Sequence, residues 1–242
     1  MNLIDAHCHL ANLSRAMPLE PLLEEARSKG ITRFLSAALT KEEVACHLEK
    51  AFPNIRFSAG IHPNYEDCDL EPKDIARLCE EGNIWAVGEI GLDRSNPDLG
   101  GQTRILEQQL GLAQKHGLPV VLHIVGHQQR AYEILSRYPL KYLVHGYAGS
   151  VEGFRLLSRL NGWFTVSGRI LRPDKKQLLR EMLSRSRYLF ETDITRHYVH
   201  QKESNPLLRL LDVFWRASEL SGVKGEELEK AQELSYGELV EA

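Results

Sequence analysis

Two histidines one residue apart, His7 and His9, lie in the segment Asp5-Ala6-His7-Cys8-His9. In an extended strand, residues i and i+2 project to one face, so both imidazoles can grip a single cation. The same spacing also suits a hydrogen-bonded pair inside a core. Glu89 poses a sharper question, because it sits in the apolar run Ala86-Val87-Gly88-Glu89-Ile90-Gly91-Leu92-Asp93, where an unpaired carboxylate is costly to bury. Its candidate partners are a cation, a neighbouring arginine or backbone N–H groups. Gly88 and Gly91 suit a close approach of backbone around it. Three more apolar runs end in side chains that can bind metal: Pro119-Val120-Val121-Leu122-His123, Tyr142-Leu143-Val144-His145 and Tyr188-Leu189-Phe190-Glu191-Thr192-Asp193. Any one of them alone reads as a satisfied structural residue. If they converge on one place, the mixed N and O donor set suits Zn²⁺, Mn²⁺ or related divalent ions.

Convergence needs a scaffold that brings strand ends together. Short β-rich segments recur at 3–9, 31–38, 56–62, 85–92, 119–125, 141–147, 162–168 and 188–194. Most are dense in Val, Ile, Leu, Phe and Ala without clean alternation, as parallel strands covered on both faces are. Between them run helical patterns with readable ends. Thr40-Lys41-Glu42-Glu43 fits a capping box, Pro173-Asp174 opens a charged amphipathic run, and Gly30, Gly117 and Gly162 mark helix ends. Eight β-then-α units predict an α/β TIM (β/α)8 barrel with its active site at the C-terminal strand ends. A doubly wound open sheet is the competing architecture. From Asn205 the pattern predicts two final helices broken at 222–225, so residues 1–242 are expected to form one domain, a barrel with an extra C-terminal helix.

The chain has 242 residues, 43% of them hydrophobic, enough for one substantial core. Its formal charge of −3 supplies no global attraction for nucleic acid or acidic membranes, so an anionic substrate needs a local basic patch. Four cysteines without a C-x-x-C pair point to a reducing compartment rather than a disulfide framework. Met1 runs straight into a core strand, and no apolar stretch approaches the roughly 20 residues that span a bilayer. These features predict a soluble cytoplasmic protein with no membrane association and no signal of an obligate protein partner.

Taken in order, the motifs Asp5-Ala6-His7-Cys8-His9-Leu10, Gly60-Ile61-His62-Pro63, Gly88-Glu89-Ile90-Gly91-Leu92-Asp93, Leu118-Pro119-Val120-Val121-Leu122-His123, His145-Gly146-Tyr147-Ala148-Gly149, Glu191-Thr192-Asp193 and Asn205-Pro206 resemble those of the TatD-related hydrolases. That family comprises metal-dependent deoxyribonucleases built on amidohydrolase-like barrels. The resemblance implies that His7, His9 and Asp193 hold one divalent ion, that His123 and His145 hold a second, and that Glu89 bridges them. It implies Mg²⁺ or Mn²⁺ for activity, with Zn²⁺ compatible, and a water activated between two ions that attacks a phosphodiester. Asp193 and Glu89 are then the catalytic residues, Asp193 orienting the water and taking its proton. The expected substrate is DNA, cleaved as a 3′–5′ exonuclease cleaves a single strand.

By the same resemblance His62 touches a substrate phosphate; a turn beside Pro63 is its other role. Arg169, with Arg94, Arg172, Arg196, His197 and Lys202, falls in loops after strands four, seven and eight and can build a basic rim. Tyr147 and Tyr198 can stack bases or pack. His47 and His116 are expected on helix surfaces, and Cys8 in packing. The chain departs from the family pattern at Val125, where DNA-cleaving members often carry arginine, at Gly146-Tyr147-Ala148, and at Ser235-Tyr236-Gly237. Those departures leave two alternatives: hydrolysis of a small phosphoester, ester or amide at the same site, and a metal-binding barrel without catalysis.

Overall fold

Apolar runs too short to stand alone are stable only when each finds partners on both edges, and here every run does. The computed structural model describes residues 1–241. Strands β1 (Leu3–Cys8), β2 (Ile31–Ala38), β3 (Ile55–Ala59), β4 (Val87–Asp93), β5 (Val120–Val125), β6 (Tyr142–His145), β7 (Gly162–Val166) and β8 (Tyr188–Phe190) pair in chain order into a closed barrel. All pairings are parallel, and Asp5 of β1 pairs with Phe190 of β8, so the sheet is closed and not an open doubly wound one.

The helices are α1 (Leu10–Leu13), α2 (Leu19–Ser28), α3 (Lys41–Glu49), α4 (Pro72–Glu80), α5 (Leu99–His116), α6 (Gln128–Leu135), α7 (Val151–Leu157), α8 (Lys176–Ser184), α9 (Arg209–Ser221) and α10 (Gly225–Tyr236). The last two are the C-terminal pair expected after Asn205. One hydrophobic cluster lies between strands and helices; a second, with Ile4, Leu35, Val121, Leu143, Trp163 and Leu189, fills the barrel interior. Tyr236 and Leu239 join this inner cluster from the C-terminal segment.

Period-two alternation decides where the chemistry of β5, β6 and β8 goes, whereas register shifts in β1 and β4 interrupt it around His7 and Glu89. Val121 is inside, so His123 is inside one layer higher; Leu143 leads in the same way to His145, and Leu189 to Glu191. Apolar side chains thus fill the barrel below a polar layer at the C-terminal strand ends, as this architecture requires.

Several local expectations change. β3 and β8 end sooner than predicted, so His62 and Asp193 each stand three residues beyond a strand, on loops, and His9 follows β1 directly. Gly162 opens β7 instead of ending a helix. Thr40 does cap α3, accepting from the Glu43 N–H at 3.2 Å. The Glu43 carboxylate, however, turns inward to accept from the Leu39 N–H at 2.7 Å and from Asn12 Nδ2 at 2.9 Å. His47 is buried, not superficial, because the Ser36 hydroxyl beneath α3 offers its ring a polar partner. Half-buried His116 is likewise not a freely exposed group.

Candidate metal centre

Glu89 sits at the middle of the barrel mouth, 2% exposed, and its two oxygens face different neighbours. Oε1 lies 3.2 Å from His7 Nε2 and 3.1 Å from His9 Nε2. Asp193 Oδ1 stands on the same side, 3.8 Å from His7 Nε2 and 3.5 Å from His9 Nε2. Oε2 lies 2.7 Å from His145 Nε2 and 3.8 Å from His123 Nδ1. The rings of His7 and His145 stack across the boundary at 3.8 Å between centroids. All six residues singled out in the sequence are therefore brought to one carboxylate, from the ends of five strands.

The backbone around Glu89 explains both glycines of its motif. A Cβ on Gly88 would lie 2.5 Å from the Val121 carbonyl oxygen, and one on Gly91 would collide with that of His123. β4 is pressed onto β5 on either side of Glu89, which aims its side chain between the histidines.

Other polar groups hold the ligand candidates in place. Asp93 Oδ2 is 2.8 Å from His123 Nε2, which turns Nδ1 toward Glu89. Fully buried Asp5 accepts from Thr192 Oγ1 at 2.6 Å and from the Thr192 N–H at 3.0 Å, stitching β1 to the segment that carries Asp193. The Asp193 N–H donates to the His7 carbonyl at 2.9 Å and its φ is 54°, a left-handed conformation that Asp tolerates better than most residues. Glu191, with no exposed surface, places Oε2 3.8 Å behind His145 Nδ1. Asp5, Asp93, Glu191, Asn12 and Glu43 were not singled out as site residues; a carboxylate or amide inside an apolar strand or facing one was the available signal.

The electrostatics are those of anions that demand cations. Burial opposes ionisation of Glu89, but the charges of His145 and His7 outweigh it and hold its carboxyl well below the ordinary range. Burial likewise disfavours charge on His9, yet the Asp193 and Glu89 carboxylates beside its ring raise it well above 6.5. His145 is also penalised by burial and is brought up to about 9 by Glu89. His7, which faces His145, falls to about 4, burial being the main cause. Burial pushes Asp5 up to about 7.

Protons on His9 and His145 thus balance the two carboxylates. Even so, His7 Nε2 and Glu89 Oε1 are buried without a hydrogen-bond partner. Imidazole nitrogens and carboxylate oxygens left in that state fit divalent cations, which would satisfy them at once. His62, Glu89 and His123 also approach closely enough to hold an ion. However, His62 Nδ1 accepts the Asn64 N–H at 2.9 Å, so the neutral ring carries its hydrogen on Nε2 and offers a donor there, not a ligand atom.

Above the cluster lies a cavity of about 390 Å³. Of the substrate-contact candidates, His62, Arg169, His197 and Tyr198 line it. His62 Nε2 is 3.7 Å from Glu89 Oε2, and burial lowers its pKa to about 3, keeping the ring neutral. Arg169 Nη2 donates to Asp193 Oδ2 at 2.8 Å. Arg172 pairs instead with Asp174, and Arg94 packs beside Gly126. Tyr147 corrects the expectation of a base-stacking group. It is 2% exposed, packs against Phe154 and Phe164, and donates its hydroxyl to the Ser150 carbonyl at 2.8 Å. Tyr65, unmarked in the sequence, lines the cavity in its stead. Among the described residues no helix is long and apolar enough to cross a membrane.

Comparison with known proteins identifies the family and the fold. A protein of Haemophilus influenzae named uncharacterized metal-dependent hydrolase is 30% identical over 212 residues, covering 80% of this chain and 81% of the relative. The human protein named Deoxyribonuclease TATDN3 is 26% identical over 218 residues, covering 80% of this chain and 78% of its own. The crystal structure of YjjV, a TatD homologue from Escherichia coli, superposes with a TM-score of 0.85 at 24% identity, covering 99% of this chain and 98% of that one, which shows a shared fold. The family described as TatD related DNase matches residues 4–237, and the chain belongs to that family.

Proposed function

We propose that this chain is a metal-dependent hydrolase that cleaves DNA at a two-metal site, with His7, His9 and Asp193 holding one divalent ion, His123 and His145 the other, and Glu89 bridging them. The division of Glu89 is the observation that supports this reading most: Oε1 faces His7 and His9, and Oε2 faces His145 and His123. A carboxylate serving one ion has no need of a second set of ligands on its other oxygen. Mg²⁺ or Mn²⁺ is the proposed activating ion and Zn²⁺ an alternative. Two such ions would supply a water of lowered pKa and neutralise charge developing on the phosphoryl oxygens.

The protein's own groups do the rest. Arg169, held by Asp193 Oδ2 in the free protein, turns its guanidinium to the incoming phosphate. That movement frees Oδ2 to orient the water and accept its proton. His62 donates from Nε2–H to a non-bridging phosphate oxygen and, being neutral, does not hold the product phosphate too tightly. The human relative's name, Deoxyribonuclease, supports DNA as the substrate. A 3′–5′ direction on single strands is the mode we propose, with DNA as the partner molecule.

A specific observation favours a second reading. Val125, half-buried at the end of β5, leaves Arg169 as the only arginine lining the cavity among the described residues, which suits a small phosphoester or an amide better than a long polyanion. The deciding experiment is release of nucleotides from single-stranded DNA by metal-stripped protein resupplied with Mg²⁺, Mn²⁺ or Zn²⁺, with Glu89→Gln as control. Metal-dependent release that is lost in the variant is the expected result. Bound metal without release would transfer the site to small esters and amides.

A further inference from the structure

The cavity wall is chemically divided. Around the β5–β7 ends it carries His123, His145 and Arg169; from the β8 end past β1 and β2 to the β3 end it carries Tyr198, Asn12, Leu39, Glu43 and Tyr65. The second side looks polar in sequence and is not polar in effect. Asn12 Nδ2 donates to Glu43 Oε1, Asn12 Oδ1 accepts the Arg196 N–H at 3.0 Å, and Glu43 Oε2 accepts the Leu39 N–H. These groups are consumed by one another and by backbone. What this side presents to a ligand is chiefly the Leu39 side chain and two phenol rings, with His197 beside Tyr198 accepting from Arg196 Nε at 3.2 Å and Thr195 Oγ1 accepting the His197 N–H.

Tyr198 has no role in the core, being 52% exposed, yet the turn beneath it is firmly held. Asn12 ties the Arg196 N–H, Thr195 Oγ1 caps the turn by accepting the His197 N–H at 3.3 Å, and Arg209 Nη2 donates to the Tyr198 carbonyl at 2.8 Å. An exposed ring on a fixed backbone is pre-paid for binding. Tyr65 packs edge-on against His62, 6.3 Å between centroids, beside the donor assigned to phosphate. The cavity volume falls within the range of small-ligand sites, about 300–1,000 Å³.

We propose that Tyr65, Tyr198 and Leu39 form a base subsite in which the nucleobase next to the scissile phosphate is held by stacking alone, so that the enzyme requires a base but is indifferent to which one. Stacking platforms bind every base because every base has a π-face. Base discrimination needs paired donors and acceptors aimed at the base edge, and here the Asn12 and Glu43 side chains are engaged with each other and with backbone. The inference rests on the DNA reading for its substrate, but its test does not depend on turnover.

Binding of each of the four deoxynucleoside monophosphates, and of inorganic phosphate, is measured on metal-loaded wild type and on Tyr198→Ala, Tyr65→Leu and Tyr198→Phe. In the same series, single-stranded oligonucleotides ending in a normal or an abasic residue are offered for cleavage. Tyr198→Ala and Tyr65→Leu are expected to weaken nucleotide binding at least about fivefold, leaving phosphate binding and metal content unchanged, while Tyr198→Phe retains wild-type affinity. The four nucleotides bind wild type within about threefold of one another, and the abasic end is cut more slowly. Unchanged nucleotide affinity in both variants, or a preference for one base above about tenfold, overturns the subsite. Equal cleavage of normal and abasic ends overturns it too while leaving the nuclease standing. Tyrosine-dependent nucleotide binding with DNA left intact upholds the subsite and removes the nuclease.

Discussion

His123 Nε2 lies 2.8 Å from Asp93 Oδ2, and this contact turns the opposite ring nitrogen toward Glu89 and His145. The hydrogen bond from His123 also holds the Asp93 carboxyl below the ordinary range, so it is an anion at any working pH. A carboxylate behind an imidazole fixes the ring's tautomer and raises the basicity of the nitrogen in front. Asp93→Ala is therefore expected to lower affinity for the ion at the His123–His145 half about 10- to 100-fold. Calorimetric titration of metal-stripped protein measures this, and affinity equal to wild type would mean that packing alone orients His123.

Arg169 makes a separable contribution. Its guanidinium touches Asp193 Oδ2 and not a histidine, and it is largely solvent-facing. Arg169→Ala is expected to leave metal content intact while reducing kcat/KM on DNA about 10- to 100-fold, the worth of one charge-assisted hydrogen bond gained at the phosphate. Arg169→Lys recovers part of that, since it restores charge without the fork. Turnover unaffected by Arg169→Ala would confine the arginine to pairing with Asp193.

Much of the candidate metal centre is legible in the chain because each candidate ligand is a polar residue in or after an apolar run, and barrel geometry sends such ends to one mouth. His7, His9, Glu89, His123, His145 and Asp193 meet accordingly. What could not be read was the direction of side chains on loops. Tyr147 follows β6 by two residues and turns back into the helix layer, where Ser150 takes its hydroxyl. Tyr65, in a polar stretch with no periodic pattern, reaches the mouth. Glu43 has the spacing of a capping residue, yet Asn12 and the Leu39 N–H on the inner side compete for it and win. Sequence spacing specifies which face of a regular element a residue takes, and is silent once the element has ended.

The glycines beside Glu89 give a stability prediction with an internal control. Gly91 and Gly82 both have positive φ, 155° and 67°, but a Cβ at Gly82 meets nothing within 4 Å whereas one at Gly91 collides with the His123 carbonyl oxygen. Gly82→Ala is expected to cost only the backbone penalty of about 1–2 kcal/mol. Gly91→Ala must in addition push β4 away from β5, adding about 1–3 kcal/mol and spoiling metal binding as Glu89 shifts. Urea unfolding and metal content of the two variants compare them directly; equal losses in both would show that β4 yields more easily than its packing implies.

His47 gives the fold a measurable response to acid. Its ring stacks on Phe57 at 4.8 Å between centroids, and Nε2 lies 3.0 Å from Ser36 Oγ. That oxygen already accepts the Leu10 N–H at 3.0 Å, so its hydroxyl hydrogen is free to point at an unprotonated imidazole. Burial lowers the His47 pKa from 6.5 to about 4. In the unfolded chain the ring titrates near about 6.5. As pH falls from about 6.5 toward 4, the unfolded state takes up a proton that the folded state refuses, and stability is lost across that window, with no effect above it. At pH 5 the loss amounts to about 2 kcal/mol. Urea unfolding of metal-stripped protein at pH 7.5 and pH 5 should show it, and His47→Gln, which keeps a partner for Ser36, should be less acid-sensitive by that amount. Parallel losses in wild type and variant would assign the acid sensitivity to other groups.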